Sequence, residues 1–334
     1  MKTYPFGLSS FTLRAQSNRG KFTFLGSVVR LLLVLWVAEM VASLPAICIS
    51  IGANFPTIYS LAEDVTAGLI SAEEYQAALE QIILAQADNP IYAVASYVGL
   101  CAVVAGGFFY MLVLDHRPLH QTGVLVEQGK KKVLPLFALL GALVIGLIAL
   151  VVWLSGAVSF TPSSPSIWHL AAAVTDLIGS CAYLIFFLGA FLPVILSHTR
   201  GFWRGAIWTS VMLGIYLTPY TGVSILASVN GCLLALVLVL LTVRTGHIWS
   251  AVLSYGAMRV LGDVLFGDPA YAYLPHAILD PTFAPGRDLT HGGVGGYMGG
   301  LGTTLILALS LIAILYIPRR AAREDTSAFT QSSL

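Results

Sequence analysis

Arg244-Thr-Gly-His-Ile-Trp-Ser-Ala-Val-Leu-Ser-Tyr-Gly-Ala-Met-Arg-Val-Leu-Gly-Asp263 follows one long apolar run and opens another. It begins with a basic residue, a Thr-Gly pair suited to a turn and Trp249, a residue at home at a membrane interface. The apolar run that follows holds Arg259 and Asp263 in its interior. A charge at that depth costs about 2.5–3.5 kcal/mol on insertion scales, so it faces protein or water and not lipid. The stretch therefore reads as the turn between two membrane spans, the second carrying buried ionisable groups.

Composition agrees. The chain has 334 residues, 57% of them hydrophobic and only 10% charged, with a mean hydropathy of +0.85. Soluble chains carry about 25% charged residues. The net charge of +1 excludes a nucleic-acid binder driven by bulk charge. Cys48, Cys101, Cys181 and Cys232 stand singly in apolar runs and read as buried thiols, not a redox or zinc framework. Metal and cofactor sites are not expected. His276 and His291, fifteen residues apart in a loop, are weak grounds for a metal.

Working outward, eight apolar spans are expected, at about 25–51, 91–114, 133–157, 168–196, 204–219, 222–243, 247–266 and 295–317. The first is too long for the apolar core of a signal peptide and reads as a retained helix. Loop charges test the count. Residues 1–22, the loop with Arg117 and Lys130–Lys132, the loop with Arg200, the turn at Arg244 and the tail with Arg319, Arg320 and Arg323 are basic. Segments 52–90, 158–167, 219–221 and 267–294 are acidic or nearly uncharged. This alternation puts both termini in the cytoplasm. The organisation expected is a basic N-terminal segment 1–24, a helical transmembrane bundle 25–317 with an outer loop 267–294, and a cytoplasmic tail 318–334.

Ser71-Ala-Glu-Glu74 is a capping box, and Tyr75, Ala78, Leu79, Ile82 and Ile83 follow at helical spacing. An amphipathic helix over about 71–86 is expected on the outer side, either a lid or a packed loop helix. In the run Gly292–Gly302, Gly292, Gly296 and Gly300 recur every fourth residue. The run lacks the Lys-Ser/Thr of a phosphate loop and reads as the close-packing start of the last span.

Three stretches resemble the CPBP intramembrane protease family, the CAAX-processing and bacteriocin-processing membrane endopeptidases. Asp115-His-Arg-Pro-Leu-His-Gln-Thr-Gly-Val-Leu125 resembles the inner loop before the family core, Phe186-Phe-Leu-Gly189 the end of its first motif, and Val243-Arg-Thr-Gly-His-Ile-Trp-Ser-Ala-Val-Leu253 the approach to its third. The likeness covers about residues 100–265. It implies a bundle of the family's type in a bacterial plasma membrane. The family's catalytic residues do not carry over. Its first motif is a Glu-Glu pair followed by Phe-Arg; alignment on Gly189 puts Tyr183 and Leu184 at the glutamates and Leu188 at the arginine. Alignment on Phe202-Trp-Arg-Gly205 puts Thr199 and Arg200 there instead. The second motif's histidine falls at about Thr218, with Gly214 in place of Phe. The third reads Tyr255-Gly-Ala-Met-Arg259 where His-x-x-x-Asn or Asp is expected. Hydrolysis needs a base in reach of a water and donors for the oxyanion, so no catalytic residue is assigned.

The polar residues left inside the spans are Glu39, Asp176, Arg259 and Asp263. At 1.5 Å per residue, Glu39 lies about 21 Å from the inner face, Arg259 about 20 Å, and Asp176 about 12 Å from the outer face. The four are candidates for one polar cluster in the outer half of the bundle. It reads as an Arg259 pairing that locks helix packing, as a polar cavity, or as a rebuilt catalytic centre with Glu39 or Asp176 as base. Three functions stay open: a non-catalytic scaffold or regulator binding a membrane protein or peptide, an endopeptidase with relocated residues, and a transporter. The expected surroundings are the lipid bilayer, with no nucleic acid.

Overall fold

A computed structural model describes residues 23–87, 95, 99–116, 122–126, 128–164, 167–199, 202–218, 224–268 and 277–316. The chain is predominantly helical. Four helical stretches, Phe24–Ile49, Lys131–Leu154, Leu177–His198 and Ile225–Thr245, are long and apolar enough to cross a membrane. Cys101–Leu114 and Leu301–Tyr316 are shorter apolar helices.

Helix α1 spans Phe24–Thr66, 43 residues, opened by Thr23, whose hydroxyl accepts from the Gly26 N–H at 3.3 Å. It runs well past the expected end near residue 51. Pro45 and Pro56 each remove one helical donor, yet an established helix propagates through such a loss more easily than it nucleates anew. The Ser60 and Thr66 hydroxyls bond carbonyls of the preceding turn at 2.9 and 2.6 Å. At 1.5 Å per residue α1 is about 64 Å long, twice the thickness of a bilayer core. Gly68, at φ +69°, ends it, and α2 (Ala72–Ala87) packs back on it. The capping box at the start of α2 is complete. The Ser71 N–H donates to Glu74 Oε2 at 2.7 Å, and the Glu74 N–H donates to Ser71 Oγ at 3.2 Å.

Next come α3 (Cys101–Phe109), which loosens into a π turn at Tyr110–Leu114, and α4 (Leu134–Leu154). The strand β1 (Val158–Pro162) leads to α5 (Ile167–Phe186), a buried π turn at Phe187–Phe191 and α6 (Leu192–His198), which together form one rod. Helix α7 is Phe202–Leu217 and α8 is Ile225–Thr245. The opening stretch of sequence is indeed a turn: Gly246, left-handed at φ +82°, caps α8, and its N–H donates to Thr242 O at 2.9 Å. Helix α9 (Trp249–Val260) follows, with its own π turn at Leu261–Leu265. The Trp249 indole donates to Val124 O at 2.7 Å, tying this turn to the loop before α4. Strand β2 (Leu279–Phe283) pairs antiparallel with β1, Val158 opposite Phe283 and Pro162 opposite Leu279. The short α10 (Asp288–His291) and α11 (Leu301–Tyr316) complete the order.

The core lies among α4–α9, where Phe186, Phe187, Leu192, Ala206, Leu213, Ala235 and Ala251 are fully buried. Small residues set the helix separations. A Cβ on Gly141 of α4 would stand 1.8 Å from the Ser254 carbonyl oxygen of α9, so the two backbones touch there. On Gly214 of α7 it would stand 2.7 Å from the Cys232 Cα of α8. Helix α1 sits at the rim. Leu31, Leu35, Ala38 and Ala42 form its buried stripe, while Leu25, Val29, Leu33, Trp36, Val37 and Met40 are exposed.

Two expectations change. The glycine run is not the first turn of the last helix. Gly292, Gly293 and Gly296 have φ of +94°, +57° and +59°, values a helix does not contain, and α11 begins at Leu301. The run folds on itself: a Cβ on Gly292 would overlap the Gly296 carbonyl oxygen. Asn230 of α8 pins it, donating to the carbonyls of Met298 and Gly300 at 2.7 and 3.0 Å and accepting from Thr304 Oγ1 at 2.7 Å. The thiols are also less buried than expected. Cys48 and Cys101 are exposed and Cys181 and Cys232 half-buried, because they fall on or beside the outward faces of their helices.

Candidate functional site

Three rods bring polar side chains to one level. Glu39 lies fifteen residues from the start of α1, Tyr183 fifteen residues from the end of α6, and Tyr216 fourteen residues from the start of α7. At 1.5 Å per residue those separations are about 22, 22 and 21 Å. The Tyr183 and Tyr216 hydroxyls lie within hydrogen-bonding reach of the Glu39 carboxyl group. The two phenol rings lie 5.1 Å apart between centroids, tilted by 33°. Phe187 closes one side, with its ring centroid also 5.1 Å from that of Tyr216.

Phe187 is the first residue of the π turn in the α5–α6 rod. An i→i+5 turn inserts a residue into the helical register and re-aims the side chains beside it. Here Phe187 meets Tyr216 on one side and packs against Phe186 and Phe191, with centroid separations of 5.5 Å for Phe186–Phe187 and 5.4 Å for Phe187–Phe191. Phe187 is fully buried, whereas Glu39, Tyr183 and Tyr216 are half-buried. The carboxylate thus sits at the seam between the rim helix and the core, and exposed Trp36, Val37 and Met40 of α1 and Ile215 of α7 flank the seam. Among the described residues Glu39 makes no ion pair; the two phenols are its polar neighbours.

The other positions aligned with family motifs do different work. Leu184 and Leu188 are fully buried in the apolar core. Thr218 turns its hydroxyl to its own helix, donating to Gly214 O at 2.8 Å. Tyr255 is buried on α9. Tyr183 meets the Glu39 carboxyl group of α1, outside the stretch of resemblance. Tyr216 was not singled out by the sequence; its equal depth with Glu39 and Tyr183 was the available signal.

Arg259 and Asp263 occupy a second polar centre. They pair along α9 at 3.7 Å, Arg259 Nη2 to Asp263 Oδ2, with both side chains at most 4% exposed. They line a narrow cavity of about 10 Å³, with Gly262, Asp268, Tyr297 and Thr303 around it. Asp268 Oδ1 accepts from the Tyr297 N–H at 3.2 Å, the Tyr297 hydroxyl donates to Phe266 O at 2.9 Å, and the Thr303 hydroxyl donates to Tyr297 O. The structure therefore brings Arg259 to Asp263 and gives Glu39 two tyrosine partners. Asp176 lies on α5, with its side chain outside the described residues.

His291 is engaged within its loop: Nδ1 accepts from the Gly293 N–H at 3.0 Å and Nε2 lies 3.2 Å from Ala284 O. His276 lies outside the described residues. Among the described residues no group of three or more His, Cys, Asp or Glu side chains is placed to hold a metal. Comparison with family models, curated proteins and solved structures finds no match for this chain.

Proposed function

We propose that the chain is a polytopic membrane protein of eight spans with both termini in the cytoplasm, and that it binds a membrane peptide or protein without cleaving it. The eight spans would be α1, α3, α4, the α5–α6 rod, α7, α8, α9 with its π turn, and α11. The alternation of basic and non-basic loops supports this orientation. The resemblance to CPBP endopeptidases suggests a bacterial plasma membrane and a substrate groove whose catalytic groups are gone.

The carrying observation is Glu39: an intramembrane carboxylate on a rim helix, held by Tyr183 and Tyr216 of the core and half-open at the seam. Ionisable groups at such depth are costly, and in membrane helices they mark sites of binding or passage. Support for a non-hydrolytic role is chemical. Leucines fill two of the family's motif positions, and the Thr218 hydroxyl is engaged by its own backbone.

One observation favours a second reading. Glu39 stands beside Tyr183, where alignment with the family calls for a glutamate, so it is the natural candidate for a relocated base. Two measurements on protein reconstituted in vesicles separate the readings. With a photoreactive residue at Val37 or Met40, apolar transmembrane peptides are expected to crosslink saturably at the seam. The same peptides, labelled at both ends, are expected to stay intact. Cleavage that Glu39→Gln abolishes would overturn the non-catalytic reading in favour of the endopeptidase.

A further inference from the structure

We infer that the Leu154 end of α4 carries a headgroup site for one anionic phospholipid of the surrounding bilayer, its phosphodiester beside Arg287 and an acyl chain along α4. The inference rests on α4 crossing the membrane and is independent of the Glu39 seam.

The place is an open cavity of about 570 Å³ where α4 gives way to the β1–β2 ribbon. Trp153, Leu154 and Gly156 line it from the end of α4 and the turn after it, and Ser159, Thr282 and Phe283 from the ribbon. Its volume falls within the roughly 300–1,000 Å³ of small-molecule sites. It lies where the apolar stretch Lys131–Leu154 ends, the level at which tryptophan sits between hydrocarbon and water.

The polar edge suits a phosphodiester. Ser159 stands opposite Thr282 in the ribbon, so the two exposed hydroxyls share one face and can both donate. Gly156, at φ +69°, turns the chain from α4 into β1, and a Cβ there would lie 3.3 Å from Arg287 Nη1, which puts the guanidinium at the rim. One of its N–H groups donates to the Ser155 carbonyl. A guanidinium has five N–H donors in a planar fork that matches phosphate oxygens. Among the described residues Arg287 has no carboxylate within ion-pair distance. No acidic residue lines the cavity. Asp280 sits two residues back on β2, across from Thr161, and Asp288 faces His291 at 3.5 Å.

The apolar side suits an acyl chain. Leu143, Leu147, Leu150 and Leu154 are exposed on α4 at spacings of four, three and four, one continuous stripe that ends in the cavity. At 1.5 Å per residue the stripe is about 17 Å long, close to the ~15 Å half-thickness of a bilayer core. A soluble anion would use Arg287 and the hydroxyls but leave Trp153 and Leu154 in water. A neutral lipid would cover those two and give the guanidinium nothing. A lipid with a net negative phosphodiester meets both.

The test uses the full chain in phosphatidylcholine vesicles doped with one of two photoreactive lipids: phosphatidylglycerol with a diazirine at the head of one acyl chain, or diacylglycerol with the same diazirine. Labelled peptides are mapped by mass spectrometry. The phosphatidylglycerol probe is expected to label residues 153–159 and 282–285 about fivefold more than the diacylglycerol probe. Arg287→Gln should reduce it to the diacylglycerol level. Thr282→Glu, which leaves the Arg287–Ser155 bond untouched, should do the same, because it sets a carboxylate on the cavity face. Thr282→Lys should raise the labelling, a gain that misfolding cannot produce. Equal labelling by the two probes would overturn the headgroup site. Labelling spread evenly from Leu143 to Leu154 would mark ordinary boundary lipid and overturn it as well. Displacement of the probe by soluble glycerophosphoglycerol at millimolar concentration would assign the site to a free phosphodiester and overturn the lipid.

Discussion

Glu39 and Arg259 are both ionisable groups set deep in apolar helices, and the fold treats them in opposite ways. Arg259 is buried in the core with a full counter-charge one turn away, beside a cavity edged by Asp268 and Tyr297. Glu39 stands half-buried at the rim, with neutral donors from two other helices. A buried ion pair whose charges already meet offers little to a ligand. A carboxyl group set among three helices and half-buried at their seam stays within reach of a partner. Burial with a counter-charge makes Arg259 a lock, and partial exposure without one is what supports the proposal of a site at Glu39.

The largest expected effect breaks the lock. Arg259→Leu leaves the Asp263 carboxylate buried without its partner on α9, and removal of one member of a buried pair costs about 3–5 kcal/mol. Equilibrium unfolding in detergent and urea should register it. Arg259→Met combined with Asp263→Leu should recover most of the loss, since apolar groups of similar size often replace a buried pair at little cost. If the double variant were as unstable as the single one, the pair would have a role beyond charge balance.

The frame around that pair is the next to test. Gly141→Ala inserts a methyl group 1.8 Å from the Ser254 carbonyl oxygen, one and a half turns before Arg259. Helices α4 and α9 must part to admit it, at a cost of about 1–3 kcal/mol. A neutral result would mean that the two backbones are not in contact.

At the seam the effects on stability shrink. Tyr216→Phe removes one donor from Glu39 and keeps the ring, so its expected cost is about 1 kcal/mol or less for a half-exposed bond. Crosslinking at Val37 should persist. If Tyr216→Phe destabilised the protein as much as Arg259→Leu, Glu39 would be a second lock, and the contrast between the two centres would collapse.

These two centres were not equally legible in the sequence. Arg259 and Asp263 are four residues apart on one helix, so their shared face follows from helical periodicity alone. The Glu39 centre needs three rods aligned in depth, and only the choice of partners, not their level, depends on packing that no local pattern encodes. Caps were legible for the same local reason: Ser71, Glu74 and Gly246 act within a few residues. The far end of α1 was not, because Pro45 and Pro56 weaken the helical pattern without breaking the helix. The spacing of Gly292, Gly296 and Gly300 misled, since a period of four describes positions along the chain and carries no information on φ. The β1–β2 pair joins two five-residue segments more than a hundred residues apart, each containing a proline, and neither announces its partner.

The smallest effect lies away from both centres, at the start of α2, where a carboxylate is held by local donors in the open. The Ser71 backbone N–H, and after it the Ser71 hydroxyl, hold the Glu74 carboxyl below its ordinary value of 4.5. A group whose folded pKa is depressed stabilises the fold fully above its unfolded value and loses that contribution as pH falls through the folded one. The first turn of α2 should therefore keep its protection from pH 7 to about 5 and lose it progressively below 4.5. Hydrogen exchange at the Ser71 and Glu74 amides reads this directly, and Glu74→Gln should flatten the profile. Unchanged protection from pH 6 to pH 3 would show that packing against α1, not the capping box, holds α2 in place. Glu74 would then belong with Arg259 as a group whose surroundings are set by the fold, whereas the capping geometry ties its charge to two donors that three residues of sequence supply.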